Sequence, residues 1–334
     1  MAKLKVGIIG LAHVHAPGHI EQLKARPDVE IVGAYDHDEQ RGLQLSSRYG
    51  IKFYSRLEAL LAEGLDLAVI DSENSMHGEH VKAAAERGIN VFCEKPIGSD
   101  LRMALEIRSI VRRHGILFTT GFNSRFNPEI LKLRELVQSG ELGRVCMARV
   151  RVAHSAAIDR WFSGWSAWFA SRELAGGGGF LDLGIHGADL LRFVLGEGAV
   201  EVQGLTGNAT GAYSIDDQGV GVIRFSGGAL GILDAGWTQL VEHMPWSPLE
   251  VYGSRGSALR TWIGLMYYTR EKGWVKPVPP QPPARNALDD IIDAVKTGRN
   301  PFITVEDAVK AQEIIEAVYI SGREGRSVKL PLLS

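Results

Sequence analysis

The first third of the chain alternates short apolar runs with stretches of helical pattern, and this alternation restricts the fold more than any other feature. The apolar runs predict β-strands, and the stretches between them end several times in glycine, which commonly follows the last turn of a helix. The predicted strands are residues 5–9, 29–35, 67–70, 89–93 and 116–120. Strands that alternate with helices predict an α/β fold with a doubly wound parallel sheet and right-handed crossovers.

Beyond about residue 122 the pattern changes to runs in which apolar residues alternate with polar or small ones. This alternation is typical of strands in antiparallel sheets that have one buried face. The predicted strands are residues 145–154, 200–207, 217–225, 229–236, 249–253 and 257–261, and the predicted helices are residues 129–139, 287–296 and 305–321. We therefore predict a second domain of α+β type with a largely antiparallel sheet.

The composition excludes several classes of partner. The 334 residues carry a net charge of −2, which provides no strongly basic surface for nucleic acid or for an anionic membrane. No run approaches the roughly 20 apolar residues that a membrane-spanning helix requires. The two cysteines, Cys93 and Cys146, fit a reducing compartment better than a disulfide framework. We expect a cytoplasmic protein without a nucleic-acid or membrane partner.

The loop after the first predicted strand has the spacing of a dinucleotide-binding turn but not its full set of glycines. The fingerprint G-x-G-x-x-G provides glycine for the tight turn, for the approach of the pyrophosphate and for close helix packing. Here these places hold Gly10, Ala12 and His15, with Leu11 inside the turn. Ala12 adds a methyl group near the phosphates, and His15 adds a ring where the helix packs. The motif is weak by itself, and its position between a strand and a helix supports it.

An acidic residue at the end of the second predicted strand strengthens the nucleotide interpretation. Asp36 follows His15 by 21 residues, and a carboxylate there can accept hydrogen bonds from both ribose hydroxyls of adenosine. The same negative charge repels a 2′-phosphate, so the sequence favours NAD over NADP. The alternative is that Asp36 is an ordinary residue of a strand-end turn.

Three histidines near this loop, His13, His15 and His19, raise the question of a metal site. A catalytic zinc site shows clearer ligand geometry than two histidines separated by one residue in a loop. No carboxylate or cysteine lies beside them in the sequence. We therefore predict no metal, and we expect one histidine to stack or hydrogen-bond near the cofactor while the others are exposed.

The triplet Glu94-Lys95-Pro96 stands directly after the predicted strand at residues 89–93. Ligands of open parallel sheets bind outside the carboxyl ends of the strands, and a lysine there offers three hydrogen-bond donors. The alternative is a solvated strand end with a proline turn. The triplet alone does not decide between the two.

A second candidate site follows four consecutive glycines at residues 176–179. In the helix predicted after them, Asp182, His186 and Asp189 fall on one stripe that apolar residues flank. Such a stripe is either an exposed face with a modest Asp182–His186 pair or a functional surface. The flanking leucines and the glycines favour burial and function. Glycine-rich backbone before a helix also offers N–H donors to an oxygen-rich ligand.

These residue types suit the oxidation of an alcohol. A histidine such as His186 can take the hydroxyl proton while hydride leaves the carbon. Asp182 can orient the imidazole and stabilise its charged form, and Lys95 can hold the substrate oxygen and the nicotinamide carboxamide. The cofactor carries the redox step, while the protein positions the reactants and transfers the proton.

With these residues the whole chain resembles the glucose–fructose oxidoreductase and inositol dehydrogenase (Gfo/Idh/MocA) family. The combination of Glu-Lys-Pro with Asp-x-Gly-x-His about 90 residues later makes the resemblance specific. Five stretches carry it, namely residues 7–16, 74–77, 94–96, 121–128 and 177–189.

The resemblance implies a Rossmann dinucleotide-binding domain at residues 1–122 and a substrate-binding and oligomerisation domain with an open-faced sheet at residues 123–334. It also implies a homodimer or homotetramer, a cis bond between Lys95 and Pro96, and the catalytic trio Lys95, Asp182 and His186. The cofactor-binding residues that it implies are Gly10, Leu11, Ala12, Asp36, Ser72, Asn74, His77, Glu94, Lys95 and Asn123.

One further departure from the family pattern lies near the expected adenosine site. Where the family has Thr-Pro-Asn after a strand of the sheet, this chain has Ser72-Glu73-Asn74. Glu73 therefore places a carboxylate near the adenosine. Together with Ala12 and His15, it is expected to affect cofactor binding and not the chemistry at Lys95.

The resemblance implies sugars, inositols and their acids as the class of substrate. Trp161 and Trp165 are candidate contacts because tryptophan faces stack on sugar rings, although the segment 160–169 also suits a core-facing helix or loop. Arg125 is a further candidate because it follows the fifth predicted strand on the crevice side. The catalytic trio is expected to contact the same substrate.

We therefore predict an NAD-dependent dehydrogenase that transfers hydride between NAD and a secondary alcohol of a sugar, inositol or related polyol. Two alternatives stay open. One is a glycosidase of the same family that oxidises, eliminates and re-reduces its substrate with a bound NAD that it recycles. The other is a non-catalytic regulator that binds nucleotide or sugar, which the altered loop suggests and the retained Lys95, Asp182 and His186 oppose.

Overall fold

The computed structural model describes residues 3–240 and 247–332. Within them the strands are β1 (Leu4–Ile9), β2 (Val29–Tyr35), β3 (Phe53–Tyr54), β4 (Leu67–Ile70), β5 (Asn90–Cys93), β6 (Phe118–Thr120), β7 (Val145–Ala153), β8 (Ala199–Gly207), β9 (Gln218–Phe225), β10 (Leu230–Gly236), β11 (Leu249–Gly253), β12 (Gly256–Thr261), β13 (Gly264–Thr269), β14 (Gly273–Val275) and β15 (Val328–Lys329). The α-helices are α1 (Ala16–Lys24), α2 (Glu39–Tyr49), α3 (Leu57–Leu61), α4 (His77–Ala85), α5 (Leu101–His114), α6 (Pro128–Gln138), α7 (Arg172–Ala175), α8 (Gly179–Leu195), α9 (Ala287–Thr297) and α10 (Val305–Glu324). In this part of the chain, no helix is both long and apolar enough to cross a membrane.

The chain forms two compact units. The first consists of residues 1–121, 162–176 and 284–309, and the second of residues 122–161, 177–283 and 310–334. The predicted boundary after residue 122 lies close to the first crossing between the units. Residues 162–176 and 284–309 also belong to the first unit, so one boundary does not separate the two units. A periodic pattern predicts a helix or a strand but not the unit to which it belongs.

The first unit contains a six-stranded sheet with the order β3-β2-β1-β4-β5-β6. Every neighbouring pair of strands is parallel, so the predicted doubly wound sheet is confirmed. All four residues of β4 are buried, as are Val6, Ile8 and Ile9 of β1. This burial explains why both strands are nearly continuous apolar runs, since helices cover both faces of such sheets.

The bounds of the first unit's elements differ from the predicted ones where an element is short or starts with proline. Strand β3 was not predicted, because two residues cannot show a period. Helix α1 begins at Ala16, and Pro17 lies in its first turn, where no hydrogen bond from the proline nitrogen is needed. Helices α2 and α5 end as predicted in a left-handed glycine, Gly50 (φ +58°) and Gly115 (φ +65°).

The second unit contains a nine-stranded sheet with the order β14-β13-β12-β11-β7-β10-β9-β8-β15. The pairs are antiparallel except for β7 with β10. Helix α8 packs on this sheet, because a Cβ on Gly187 would overlap Leu233 Cδ1 in β10 and lie 3.1 Å from Val150 Cγ1 in β7. Gly187 thus allows a close approach between α8 and the sheet. Strands β13, β14 and β15 were not predicted.

Candidate active site

The turn after β1 depends on a glycine that other residues cannot replace without strain. Gly10 has φ +81°, and a Cβ on it would lie 2.5 Å from Cα and Cβ of Ser72, which follows β4. The N–H of Gly10 donates to Tyr35 O at the end of β2. The backbone therefore turns tightly where β1, β2 and β4 end, which is the place of the pyrophosphate in dinucleotide-binding sheets.

A segment from later in the chain holds the rest of this turn. Trp168 Nε1 donates to Ala12 O at 3.0 Å. The side chains of Trp168, Phe169 and Ala175 form a buried cluster with that of Ala12. This cluster accounts for alanine at the second fingerprint position. Trp168 was not predicted as a site residue, and its only signal was its place in the aromatic run.

Asp36, the predicted ribose acceptor, is buried and hydrogen-bonded on both carboxylate oxygens. Its Oδ2 accepts from Leu11 N at 2.7 Å and from Arg41 Nε at 2.9 Å. Its Oδ1 accepts from Asp38 N and from Arg41 Nη2, each at 2.8 Å. A carboxylate has about four acceptor positions, and these four contacts use them. Asp36 thereby ties the nucleotide loop to the end of β2.

Arg41 joins Asp36 to Glu73, the carboxylate that departs from the family pattern. Its Nη2 also lies 3.1 Å from Glu73 Oε1, and all three side chains are buried. Burial lowers the pKa of Arg41, but the hydrogen bonds and charge of Asp36 outweigh this effect and the pKa is raised. Arg41 thus occupies two of the four contacts of Asp36, and the contact of Asp36 with a ribose stays a prediction. Arg41 was not predicted as a site residue, although it lies in the first turn of α2, shortly after Asp36 in the sequence.

Two predicted cofactor residues after β4 hold the local backbone. Asn74 Nδ2 donates to Ala175 O at 2.9 Å. The ring nitrogens of His77 lie 3.0 Å from Pro96 O and 3.2 Å from Ser72 O. Burial lowers the pKa of His77, and a neutral ring donates to one of these carbonyls at a time. His77 thus ties the end of β4 to the turn at Pro96, while its contact with the cofactor stays a prediction.

Glu94 and Lys95 stand at the carboxyl end of β5, and both are buried. The bond between Lys95 and Pro96 is cis, as the resemblance implies. Glu94 Oε2 accepts from Lys95 N at 2.9 Å, and a Cβ on Gly121 would lie 3.2 Å from the same oxygen. The alternative of a solvated strand end is therefore wrong.

Three imidazoles surround the Glu94 carboxylate. His15 Nδ1 lies 2.9 Å and His19 Nε2 lies 3.6 Å from Glu94 Oε1, and His13 Nε2 lies 3.9 Å from Oε2. His19 Nδ1 lies 3.0 Å from Asp71 Oδ1. His13 and His19 are 2% and 8% exposed, so the expectation that two of the three histidines are exposed is wrong. Both are buried because the loop and the first turn of α1 lie against the ends of β4 and β5.

The charges in this group influence one another. Burial raises the pKa of Glu94, but His13 and His15 outweigh it and hold the pKa well below its ordinary value. Burial lowers the pKa of His19, yet Asp71 and Glu94 outweigh this and raise it to about 9. At neutral pH His19 is therefore a cation that offsets part of the charge of the two buried carboxylates.

In the second unit, Asp216 fixes the start of α8. Its Oδ1 accepts from Gly178 N and its Oδ2 from Phe180 N, each at 3.0 Å, and its backbone oxygen accepts from Gly179 N at 2.8 Å. A Cβ on Gly178 would overlap that backbone oxygen. The glycine run thus permits close packing against Asp216. The expectation that these N–H groups bind a ligand is wrong, because Asp216 accepts from them.

Asp182 and His186 lie one turn apart on α8, and each is 9% exposed. Asp182 Oδ2 accepts from Trp237 Nε1 at 2.9 Å. The rings of His186 and Phe122 meet edge-on with their centroids 6.1 Å apart. The low exposure rules out the alternative of an open helix face. Trp237 was not predicted, because it lies 55 residues from Asp182 and the sheet brings the two together.

The third polar residue of the stripe, Asp189, forms a buried ion pair with Arg125. Arg125 Nε donates to Asp189 Oδ2 at 2.8 Å, and its Nη2 donates to Oδ1. The guanidinium carbon also lies 4.7 Å from the centroid of the Phe193 ring. The pair ties the 3₁₀ turn Asn123–Phe126 to α8. This gives Arg125 a structural role, and its predicted contact with substrate stays a prediction.

The two predicted sugar-stacking residues are exposed. Trp161 is 50% exposed and Trp165 is 43% exposed, whereas Trp168 and Phe169 of the same segment are buried. The alternative of a core-facing segment is therefore wrong for Trp161 and Trp165 and right for Trp168 and Phe169. Trp161 belongs to the second unit and stacks on His154 with ring centroids 4.7 Å apart.

The residues of the first unit fit a dinucleotide, because the tight turn at Gly10, with φ +81°, lies between the end of β1 and the N-terminus of α1. Lys95 belongs to this unit, and Asp182 and His186 belong to the other. Their convergence on one substrate stays a prediction.

Residues 4–122 match the family model described as an oxidoreductase family with an NAD-binding Rossmann fold, and residues 130–259 match the GFO/IDH/MocA C-terminal domain. The chain belongs to the Gfo/Idh/MocA family. The resemblance drawn from the motifs is thereby confirmed, together with the NAD-binding domain and the oxidoreductase class.

Characterised relatives match over the whole chain. The chain is 28% identical to the myo-inositol 2-dehydrogenase of Thermotoga maritima over 98% of each chain. It is 27% identical to the D-glucoside 3-dehydrogenase of Escherichia coli over 98% of this chain and 97% of the relative. The solved structure of GenD2 from gentamicin A biosynthesis, in complex with NAD, is similar with a TM-score of 0.84 and 28% identity over 99% of this chain and 97% of GenD2. Both units therefore have counterparts in known oxidoreductases.

Proposed function

We propose that this oxidoreductase removes hydride from a secondary alcohol of a sugar, inositol or related polyol and transfers it to NAD. The relatives named for inositol and glucoside oxidation support this class of substrate. One observation carries the proposal: the trio is retained in largely buried positions, with Lys95 after β5 and with Asp182 and His186 one turn apart on α8.

Each member of the trio has a role that its chemistry allows. NAD supplies the hydride acceptor when it is bound. His186 takes the hydroxyl proton, since imidazole is the common general base near neutral pH. Asp182, whose Oδ2 is held by Trp237, stabilises the imidazolium that results. Lys95 donates to the substrate oxygen and stabilises the negative charge that develops there.

For the cofactor, we propose that the turn at Gly10, Leu11 and Ala12 receives the phosphates and that Asp36 receives the ribose after Arg41 has moved. The carboxylates of Asp36 and Glu73 repel a 2′-phosphate, which supports NAD over NADP. The other members of the proposed set are Ser72, Asn74, His77, Glu94, Lys95 and Asn123.

We further propose a homodimer or homotetramer that works in the cytoplasm without a nucleic-acid partner. The resemblance supports the assembly, and the net charge of −2 supports the absence of a nucleic-acid partner. Cys93 and Cys146 are free thiols, which is compatible with a reducing compartment.

Replacing Trp237 with phenylalanine tests whether this residue positions Asp182. The variant loses an N–H donor to a buried carboxylate, so we expect the free energy of unfolding to fall by about 2 kcal/mol. We also expect kcat to fall about tenfold, which corresponds to about 1.4 kcal/mol. Urea denaturation and steady-state kinetics measure the two effects. Trp262→Phe is the control because Trp262 is 72% exposed, and a kcat that Trp237→Phe leaves unchanged contradicts the positioning role.

A panel of sugars, inositols and other polyols tests the proposed activity, with NAD or NADP as the oxidant. Reduced nicotinamide is followed by absorbance after the protein has been checked for co-purified cofactor. We expect turnover of at least one cyclic polyol with release of NADH, and a clear preference for NAD. Glycoside cleavage without NADH release indicates the NAD-recycling alternative. Retained NAD binding without any turnover indicates the non-catalytic regulator.

A further inference from the structure

The first unit brings three imidazoles and two carboxylates together in a group of which only Glu94 has a place in the proposed cofactor site. This histidine–carboxylate cluster consists of His13, His15, His19, Asp71 and Glu94. The histidines come from the loop after β1 and from α1, and the carboxylates follow β4 and β5. Two sets of three have ligand atoms that all lie within 4.8 Å of one another, namely His13 with His15 and Glu94, and His19 with Asp71 and Glu94.

We propose that His13, His15 and Glu94 bind a divalent first-row transition-metal ion. Two imidazoles and one carboxylate are a ligand set of Zn²⁺ and Fe²⁺, whereas Mg²⁺ and Ca²⁺ select oxygen ligands. Ligand atoms around an ion with bonds of about 2.1 Å lie about 3.0 to 3.4 Å apart. The distances from the Glu94 oxygens, 2.9 Å to His15 Nδ1 and 3.9 Å to His13 Nε2, bracket this range.

His19 and Asp71 support the proposed ligands from behind. His19 Nδ1 bonds to Asp71 Oδ1 at 3.0 Å, and its Nε2 points to Glu94 Oε1 from 3.6 Å. Carboxylates that ligate metals are themselves held by hydrogen bonds, and such outer partners orient them. His19 thus lies within ion-pair distance of Glu94 Oε1 and places a positive charge beside the proposed ligand.

The proposed site is closed on one side and accessible on the other. The side chains of His13 and Glu94 are each 1% exposed, whereas that of His15 is 50% exposed. The ring of His13 lies 5.2 Å from Phe169 and 6.0 Å from Trp168 between centroids, which makes the inner wall aromatic. An ion can therefore enter past His15 and retain water on the exposed side.

The competing explanation is a hydrogen-bond network that only balances the charge of Glu94. That network also accounts for the short His15 contact and for the ion pair between His13 Nε2 and Glu94 Oε2 at 3.9 Å, so the binding test with Zn²⁺ separates the two explanations. His13 Nδ1 accepts from His15 N at 3.2 Å. Coordination through His13 Nε2 places the ring proton on Nδ1, so that contact must break when the ion binds.

A bound ion would join the loop after β1 to the residue that precedes Lys95. This inference concerns residues of the first unit alone and does not depend on the substrate of the dehydrogenase. Metal binding and polyol oxidation are therefore measured separately, and one can fail without the other.

The test uses the full chain, stripped of metal with a chelator and dialysed, and adds Zn²⁺ or Co²⁺ alone as the probe. We expect calorimetry to show one ion per chain with micromolar affinity or tighter, and Co²⁺ to show visible absorption bands of a nitrogen- and oxygen-ligated site. His15→Gln and His13→Asn each remove a proposed ligand and are expected to weaken binding at least 100-fold, while His19→Gln removes only an outer partner and weakens it about tenfold.

His114→Gln is the matched control, since His114 is an exposed histidine at the end of α5 and lies outside the cluster. Circular dichroism checks the fold of each variant, and the half-exposed His15 provides a substitution that the fold tolerates even if His13→Asn does not fold. Equal Zn²⁺ affinity in the wild type, His15→Gln and His114→Gln overturns the proposal. Wild-type binding only at millimolar concentrations overturns it as well.

Discussion

Substitution of Lys95 by methionine is expected to lower kcat/KM by about 10² to 10³-fold, the usual effect of removing one donor to a developing oxyanion. Methionine retains most of the buried stem of Lys95 and removes the ammonium group, so the fold is expected to persist and NAD binding to be weaker but measurable. Steady-state kinetics give kcat/KM, and calorimetry gives the affinity for NAD. Lys82→Met is the control because the Lys82 side chain is 63% exposed on α4. An unchanged kcat/KM in Lys95→Met would remove this residue from the proposed mechanism.

The same substitution combined with His186→Asn tests whether the two residues act on one substrate. Lys95 belongs to the first unit and His186 to the second, so their convergence needs a functional measurement. Residues that act as one catalytic group have strongly non-additive effects. We expect the double variant to be about as slow as the slower single variant. Fold-changes that multiply would mean that the two residues act independently, and the proposed site would be wrong.

The pattern of apolar residues along the sequence predicted the buried strands of the first sheet. Strands β1, β2, β4 and β5 were each placed within one residue at either end, because parallel strands covered on both faces are continuous apolar runs. Strands β3 and β14 were missed, since two or three residues carry no period. The return of residues 162–176 to the first unit was missed for a different reason, because it depends on what the Trp168 indole contacts.

Contacts between distant residues explain most of what the sequence did not reveal about the site. His15 and Glu94 are 79 residues apart, and only the parallel register of the sheet places the end of β5 beside the loop after β1. The sequence predicts no metal because the histidines have no carboxylate beside them along the chain, whereas the fold brings Glu94 and Asp71 to them and so motivates the proposed site. The spacing of residues along the chain does not predict such tertiary contacts.

Asp36 shows what a fingerprint does and does not predict. Its place at the end of β2 followed from the pattern of strands, and the structure has it there. The hydrogen-bond partners of Asp36 were not predicted, because Arg41 contacts Asp36 from α2 and also contacts Glu73. If Asp36 binds the ribose as proposed, the affinity for NAD includes the free energy of moving Arg41, which a motif of glycines and one acid cannot indicate.

Replacing Asp189 with asparagine is expected to lower the free energy of unfolding by about 3 to 5 kcal/mol, because it leaves the guanidinium of Arg125 buried without its counter-charge. Urea denaturation measures the change. Glu106→Gln is the control, since the pair of Glu106 with Arg102 on α5 is exposed and 3.9 Å long. That substitution is expected to change stability by no more than about 0.5 kcal/mol.

The double variant Arg125→Met/Asp189→Leu separates the structural role of Arg125 from its predicted contact with substrate. An apolar pair of similar volume requires no desolvation of charge, so we expect most of the lost stability to return. If Arg125 only ties the turn Asn123–Phe126 to α8, the KM for the polyol stays at its wild-type value in this variant. A raised KM in a stable protein indicates that the guanidinium also contacts substrate. A loss in Asp189→Asn no larger than that in Glu106→Gln would mean that the ion pair does not hold α8, and the positions of Asp182 and His186 would then depend on Asp216 and Trp237.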